Sequence, residues 1–399
     1  MTDPSETLEL RSLSEPVRSR PLRVLQVLGY ASDGGRSSGI TGVEKVVELL
    51  VQGLPTARFD SYLAYPTAGA LQSRVRAHCR AVLEVEPRSR NDSLYARALA
   101  GFVREHAIDL IVSHGLRFDW HAALAARRTR VGHVVVRPVA LADEVMSRGR
   151  KFSYGVVDTW TLRSCSAIVA VSDASRRRML KTQLLPPHKI VVIPNGVAIR
   201  DVTAAERSAA RQELGLEAGT RLVGGVGQLI PRKNFDLLVR ALARVRVTHP
   251  NVVGIVLGEG PERERLTTLA RSREVRLLLP GFVADPHVMM AAFDIAVLPS
   301  RAEGMPLVVL ESMGLGVATI ATAVAGTPEV IENGISGVLI PPGDEVALAT
   351  ALVQLMDDDA RRDRVAAAGA RRIGARFTLQ AMLDGFATLF EQVATRHRP

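Results

Sequence analysis

At 399 residues the chain is longer than one hydrophobic core usually organises, so two α/β domains are expected. Its composition, 47% hydrophobic but 4% aromatic, excludes an aromatic-rich sandwich and favours Val-, Ile-, Leu- and Ala-rich parallel strands under covering helices. The formal charge of +10 comes with no basic run interleaved with aromatics, which argues against nucleic acid as a partner, and two cysteines, Cys79 and Cys165, are too few for a disulfide framework or a zinc site. A reducing compartment, the cytoplasm, is the expected location.

Residues 1–20 are polar and lack the apolar core of a secretory signal, and read as a disordered leader. No apolar run approaches the roughly 20 residues of a membrane span, so any membrane contact is expected to be peripheral. A first domain over 21–195 opens with the apolar run Leu22–Leu28, a buried strand that stops at Gly29. A Gly/Ser loop through Arg36–Ser38 leads to Thr41-Gly42-Val43-Glu44, after which Val43, Val46, Val47, Leu50 and Leu54 recur at helical spacing. Such a loop brings backbone amides close to phosphate where Gly42 removes the Cβ. Further strands are expected at 109–113, 133–136, 167–171 and 189–193 with helices between them, which gives a doubly wound parallel sheet. The helical pattern over Arg90–His106, with Leu94, Leu99, Phe102 and Val103, reads as a sheet-covering helix or as a basic amphipathic one able to rest on an anionic membrane.

Pro194-Asn195-Gly196 is a turn and a natural joint. Beyond it the alternation restarts in a second domain over 196–375, with strands expected at 221–227, 252–257, 275–279, 295–298 and 318–321. The stretch from Arg361 to Arg396 reads as helical, and 376–399 is expected to pack back toward the joint.

Two open α/β sheets facing one another carry their ligand sites on loops after the strands. The most informative such loop runs from Pro299 through Glu303-Gly304-Met305-Pro306-Leu307 to Glu311. Gly304 and Pro306 mark the entry to a helix, so Glu303 falls in the loop and Glu311 in the helix. The free amides of that helix start suit a diphosphate, and the carboxylates suit sugar or ribose hydroxyls; either acid taken alone reads equally as a cap or a solvated acid. The second informative segment is Gly227-Gln228-Leu229-Ile230-Pro231-Arg232-Lys233-Asn234, which sets two cations after a strand end, where they suit an anionic group.

The chain resembles the retaining glycosyltransferases of the GT-B fold, family 4, whose hallmark is one Glu followed by seven residues and a second Glu; Glu303 and Glu311 match that spacing, and the flanking apolar positions match too. The resemblance covers roughly residues 21–390. It implies two Rossmann-like doubly wound parallel-sheet domains facing a cleft, and transfer of a hexose-type sugar from a UDP- or GDP-sugar to a glycan, lipid-linked or small-molecule acceptor in polysaccharide or glycoconjugate biosynthesis. By resemblance, Lys233 contacts the donor diphosphate, Val283 meets the nucleobase through its backbone, Glu311 binds the ribose hydroxyls, and Glu303 with Gly304, Met305 and Leu307 holds the transferred sugar. Glu303, Lys233 and Arg232 form the implied catalytic set, with Gly42 and Gln228 also lining the donor. No metal or other cofactor is required on this reading.

Gln228 stands where the family commonly has Arg, and Arg137 where it tends to place His near the transferred sugar; Arg137 and His114 are the acceptor-side candidates. Asp357-Asp358-Asp359 superficially contains a metal-binding Asp-x-Asp, but its position after a helix end reads as capping acids. The competing readings are a degenerate binding subunit without catalysis, for which Gln228 and Arg137 speak, and a nucleotide-sugar epimerase on the same fold.

Overall fold

Short Val-, Ile- and Leu-rich runs become parallel strands here because helices cover both faces of each sheet and bury the side chains of its central strands. The computed structural model describes residues 20–29, 40–65, 70–85, 92–137, 157–183 and 185–397; the leader and the Arg36–Ser38 loop lie outside the described residues. The first sheet comprises β1 (Leu22–Leu28), β2 (Phe59–Tyr65), β3 (Cys79–Glu84), β4 (Leu110–His114), β5 (Gly132–Arg137), β6 (Ala167–Ala170) and β7 (Ile190–Val192), in the order β3-β2-β1-β4-β5-β6-β7. The second comprises β8 (Arg221–Val226), β9 (Val252–Leu257), β10 (Leu277–Gly281), β11 (Ile295–Leu298), β12 (Ala318–Thr322) and β13 (Val338–Ile340), in the order β10-β9-β8-β11-β12-β13. Every pairing in both sheets is parallel. Each sheet therefore has one point where the winding reverses, between β1 and β4 and between β8 and β11, and loops leaving the strand ends there diverge to open a site.

Three of these strands lie outside the sequence expectation, each for a physical reason. Asp60 and Ser61 interrupt the apolar run of β2, β3 is an edge strand with half-exposed side chains, and β13 is an edge strand of 3 residues.

The chain divides into two units, one holding β1, the stretch Ile40–Pro194 with β2 to β7, and Gln380–Pro399, the other Asn195–Leu379. In the first unit the helix Ser93–Glu105 buries Leu99, Phe102 and Val103 and leaves Leu94 exposed, as a sheet-covering helix does. The stretch from Arg361 to Arg396, expected to be helical, lies in two helices, Asp359–Arg376 and Leu379–Arg396. The break falls where Thr378 forms a parallel bridge with Val197, whose N–H donates to Phe377 O at 3.0 Å and whose carbonyl accepts from Leu379 N at 3.0 Å. The last helix joins the first unit: Phe390 packs edge-on to Phe59, and Glu391 accepts from Arg58 at 2.8 Å.

The acids of Asp357–Asp359 are each engaged. Asp358 caps the helix Asp359–Arg376 by accepting from Arg361 N at 2.7 Å, Asp357 pairs with His249 at 3.0 Å, and Asp359 pairs with Arg221 at 2.8 Å.

Candidate functional site

The loops that follow β8 and β11 leave adjacent strands at the winding reversal of the second sheet, and they carry the two informative segments. The β8 loop begins at Gly227 and is packed backbone to backbone on the loop after β9. Gly258, at φ +151°, would drive a Cβ to 2.0 Å from Gly227 O, so only glycine lets the two loops meet. Leu229 N donates to Glu259 O at 2.8 Å, and Glu262 N donates back to Leu229 O at 2.9 Å. Lys233 then runs across Gly227, its Cε 3.3 Å from where a Cβ there would stand.

Asn234 ends this loop in the left-handed region at φ 57°, which Asn tolerates better than most residues. Its buried amide donates to Pro299 O at 3.1 Å and its carbonyl accepts from Arg301 Nη2 at 3.2 Å. Arg301 N donates to Arg232 O at 2.9 Å, and Arg232 Nη1 donates to Ala302 O at 3.1 Å. The β8 and β11 loops are thus tied together on both sides of Lys233.

Lys233 Nζ reaches Glu303 Oε1 at 2.7 Å, and Arg232 Nη1 stands 3.6 Å from Oε2 of the same carboxylate. Glu303 is only 6% exposed. Burial raises its carboxyl pKa, but Lys233 and Arg232 together outweigh burial and hold it below the ordinary carboxylate value. Gly304 O accepts from Gly326 N at 2.9 Å and Met305 O accepts from Asn195 Nδ2 at 2.8 Å, which fixes the loop ahead of the helix Leu307–Gly314. Pro306 occupies the cap position of that helix, with no side-chain cap bond and no acid in the first turn, so its first amides are available to an anion. Glu311 sits one turn further on, partly buried.

Val283, beyond β10, packs on the cluster of Leu257, Phe293 and Met289, and Gln228 lies partly exposed beside Gly227. The second unit therefore brings Gln228, Arg232, Lys233, Glu303, Gly304, Met305, Leu307 and Glu311 to the ends of two neighbouring strands. Chemically the set combines two cations, an uncapped helix start and two carboxylates. Lys233 has three donors, so one can stay on Glu303 while another reaches a phosphate oxygen. Sequence reading missed Asn195 and Asn234, which hold the loops rather than a ligand; each touches residues at least 65 positions away.

In the first unit Gly42 begins the helix Gly42–Gly53, where Thr41 and Glu44 form a reciprocal cap. A Cβ on Gly42 would meet nothing within 4 Å, so the space above it is open. The two acceptor-side candidates lie deep in the first unit. Arg137 is 6% exposed and its guanidinium is held by Asp119 at 2.9 Å and by Asp158. His114 is equally buried, with Nε2 2.8 Å from Gln26 Oε1, and burial pushes it down to about 3, which leaves it without the proton-transfer role near neutral pH that an exposed imidazole would have. The polar layer was invisible in sequence because Asp119, Asp158 and Arg137 come from separate elements.

A family profile described as glycosyl transferases group 1 matches residues 206–372, and one described as glycosyltransferase family 4 matches residues 40–200. The chain is 32% identical over 296 residues to the D-inositol 3-phosphate glycosyltransferase of Stackebrandtia nassauensis, an alignment covering 69% of this chain and 66% of the relative, just under two thirds of its length. It is 27% identical to the UDP-Gal:alpha-D-GlcNAc-diphosphoundecaprenol alpha-1,3-galactosyltransferase of Escherichia coli, with 80% of this chain and 86% of the relative covered. Among solved structures, Anabaena HepE in complex with UDP and glucose superposes with a TM-score of 0.80 at 22% identity, covering 93% of this chain and 100% of that one, a likeness of fold.

Proposed function

The chain belongs to the glycosyltransferases of group 1 and family 4, and from that premise we propose that it transfers a hexose-type sugar from a UDP- or GDP-sugar to a hydroxyl acceptor with retention of configuration. The observation that carries the reading is the buried Glu303 carboxylate paired with Lys233 at 2.7 Å and flanked by Arg232. A carboxylate held ionised in a nearly dry site has the chemistry to fix sugar hydroxyls, and the cations beside it have the chemistry to receive a diphosphate.

On this reading Arg232 and Lys233 supply the positive charge that stabilises the departing diphosphate, aided by the amides at the start of Leu307–Gly314. Glu303 orients the transferred sugar, Glu311 takes the ribose hydroxyls, and the Val283 backbone meets the base. The bond from the anomeric carbon to the phosphate oxygen breaks while the acceptor oxygen bonds to the same face, and the acceptor proton passes to the released phosphate oxygen. The charge balance is met by Arg232 and Lys233 without a metal. The acceptor is a glycan, a lipid-linked sugar or a small molecule; among named relatives one acts on a diphosphoundecaprenol acceptor. Among the described residues no helix is long and apolar enough to cross a membrane, and a lipid-linked acceptor would be met peripherally, at the cytoplasmic face.

The test is a thermal-shift series with UDP-, GDP-, ADP- and dTDP-sugars on the wild type, Lys233→Ala and Glu311→Ala, followed by NMR of the product. A shift with UDP- or GDP-sugars that both substitutions abolish, and a product of retained configuration, are expected. No shift with any donor would overturn the donor site, and an inverted product would overturn the retaining step.

A further inference from the structure

The loop after β10 carries an ion-paired relay that ends at Glu311, and the catalytic set does not use it. Arg200 donates to Asp285 at 3.0 Å and to Glu206 at 2.9 Å. Asp285 Oδ1 lies 2.5 Å from His287 Nδ1 and also accepts from His287 N at 3.3 Å. Burial raises the Asp285 carboxyl, but its bonds to His287 and the Arg200 charge hold it below its ordinary value. An ionised carboxylate can only accept, so Nδ1–H is the donor and Nε2 is the ring nitrogen turned away from Asp285. That nitrogen stands 4.0 Å from Glu311 Oε1.

A separation of 4.0 Å is too long for a direct hydrogen bond. It suits a shared partner instead: an oxygen about 2.8 Å from both atoms subtends an angle of about 90° between them, acceptable for one hydroxyl that donates its single hydrogen to the Glu311 carboxylate and accepts from a protonated His287 Nε2. Both side chains are largely but not wholly covered, His287 at 21% and Glu311 at 14% exposure, so the gap between them can be reached from solvent. The ring is also fixed on its far side by Asp285 and, through it, by Arg200, an arrangement that orients an imidazole for a ligand.

We propose that His287 is a second binding residue for the donor ribose, sharing one hydroxyl with Glu311 and setting the preference for a ribonucleotide over its deoxy form. This rests on Glu311 facing the ribose. A bifurcated hydroxyl contact rejects an analogue lacking that hydroxyl because both site groups are then left without a partner. Val283, four positions earlier in the same loop, meets the base on this reading, so one loop would read base and ribose together.

Calorimetric titration tests it, with UDP and GDP measured first and the tighter binder carried forward beside its 2′-deoxy and 3′-deoxy forms. The wild type is expected to lose at least about tenfold in affinity when the shared hydroxyl is removed. His287→Ala is expected to weaken the ribonucleotide about five- to tenfold and leave that deoxy form unchanged, and His287→Gln, which keeps a hydrogen-bonding group, to recover part of the difference. Equal weakening of the ribo and deoxy forms, or unchanged binding of both, would overturn the assignment and leave His287 as a structural partner of Asp285. Failure of the underlying reading looks different: the wild type would not distinguish ribo from deoxy forms, and Glu311→Ala would bind both as the wild type does.

Discussion

The ammonium of Lys233 stands 2.7 Å from the carboxylate of Glu303, a residue 70 positions away in the chain and 6% exposed. Breaking this pair from either side leaves a buried charge with a poorer partner, and the two losses are unequal. Arg232 at 3.6 Å still serves Glu303 when Lys233 is removed, whereas Lys233, more exposed, is re-solvated when Glu303 is removed. Glu303→Gln is expected to lower kcat about 100-fold or more while changing nucleoside diphosphate affinity by less than about threefold, since UDP and GDP carry no sugar. Lys233→Ala is expected to weaken that affinity instead. Steady-state kinetics with calorimetry on the two variants separates the roles, and the reverse pattern would refute them. The double variant should fall short of the summed single effects by about 1 to 3 kcal/mol because the residues touch.

The pH dependence of this carboxylate follows from the direction of its shift. Its folded pKa lies below the ordinary 4.5, so the stability it contributes is fully present above that value and is lost as pH falls through the folded one. Activity is therefore expected to show no limb from Glu303 down to about pH 5. A limb near neutrality in the kcat profile that Glu303→Gln removes would contradict the assignment.

Gly258 tests the loop packing that carries Lys233. An added Cβ would stand 2.0 Å from Gly227 O at a backbone angle of +151°, and that oxygen belongs to backbone that cannot swing aside. Gly258→Ala is expected to cost about 2 to 4 kcal/mol of stability and to weaken donor binding beyond detection, read by urea unfolding and calorimetry. Gly42→Ala is the control: its Cβ meets nothing within 4 Å, so stability is expected to stay within about 0.5 kcal/mol, and any loss of donor affinity would report a ligand over the helix start.

Arg137 belongs to the interior of the first unit. Asp119 and Asp158 are 1% and 6% exposed at the side chain, and the guanidinium is their common counter-charge. Arg137→Ala is expected to cost about 3 to 5 kcal/mol because it removes the cation that two buried carboxylates share, and Asp119→Asn with Asp158→Asn in the same chain is expected to recover part of the loss. Equal unfolding midpoints for the wild type and Arg137→Ala would show that the triad carries no stability.

What the sequence disclosed and what it withheld divide along a physical line. Apolar runs such as 252–257 and 295–298 coincide with β9 and β11 because a strand buried on both faces must be apolar at nearly every position. The spacing of Glu303 and Glu311 was legible because loop and helix positions follow from Gly304 and Pro306 nearby in the chain. The pairing of Arg137 was not legible because its counter-charges, Asp119 and Asp158, lie 18 and 21 positions away on other elements, and a lone arginine after a strand carries no sign of them. His287 was silent for the same reason: Asp285 is two residues off, but Glu311 comes from another element, and a histidine between them is a relay only once both are in place.

The buried histidines of the first sheet give a prediction in which opposing terms must be weighed. Burial pushes His114 down to about 3, and burial with Arg137 nearby pushes His133 down to about 3, from 6.5. Each contributes stability that is full above 6.5 and lost as pH falls, because the unfolded chain takes protons that the folded one refuses. Asp119 acts the other way: burial pushes it up to about 6 from 3.8, against the pull of Arg137. Its contribution is full below 3.8 and lost as pH rises through 6, so acidification restores it. From pH 7 to pH 5 each histidine loses about 2 kcal/mol and Asp119 returns about 1 kcal/mol, so the first unit is expected to weaken by about 2 to 3 kcal/mol. Both tryptophans of the chain, Trp120 and Trp160, lie in that unit with ring centroids 4.8 Å apart, so urea unfolding followed by tryptophan fluorescence reads it directly. His133→Gln is expected to flatten the slope between pH 7 and pH 5 by well over half, whatever its effect on stability at pH 7, whereas Asp119→Asn is expected to steepen it. A slope unchanged by either substitution would mean that these groups titrate alike in the folded and unfolded chain.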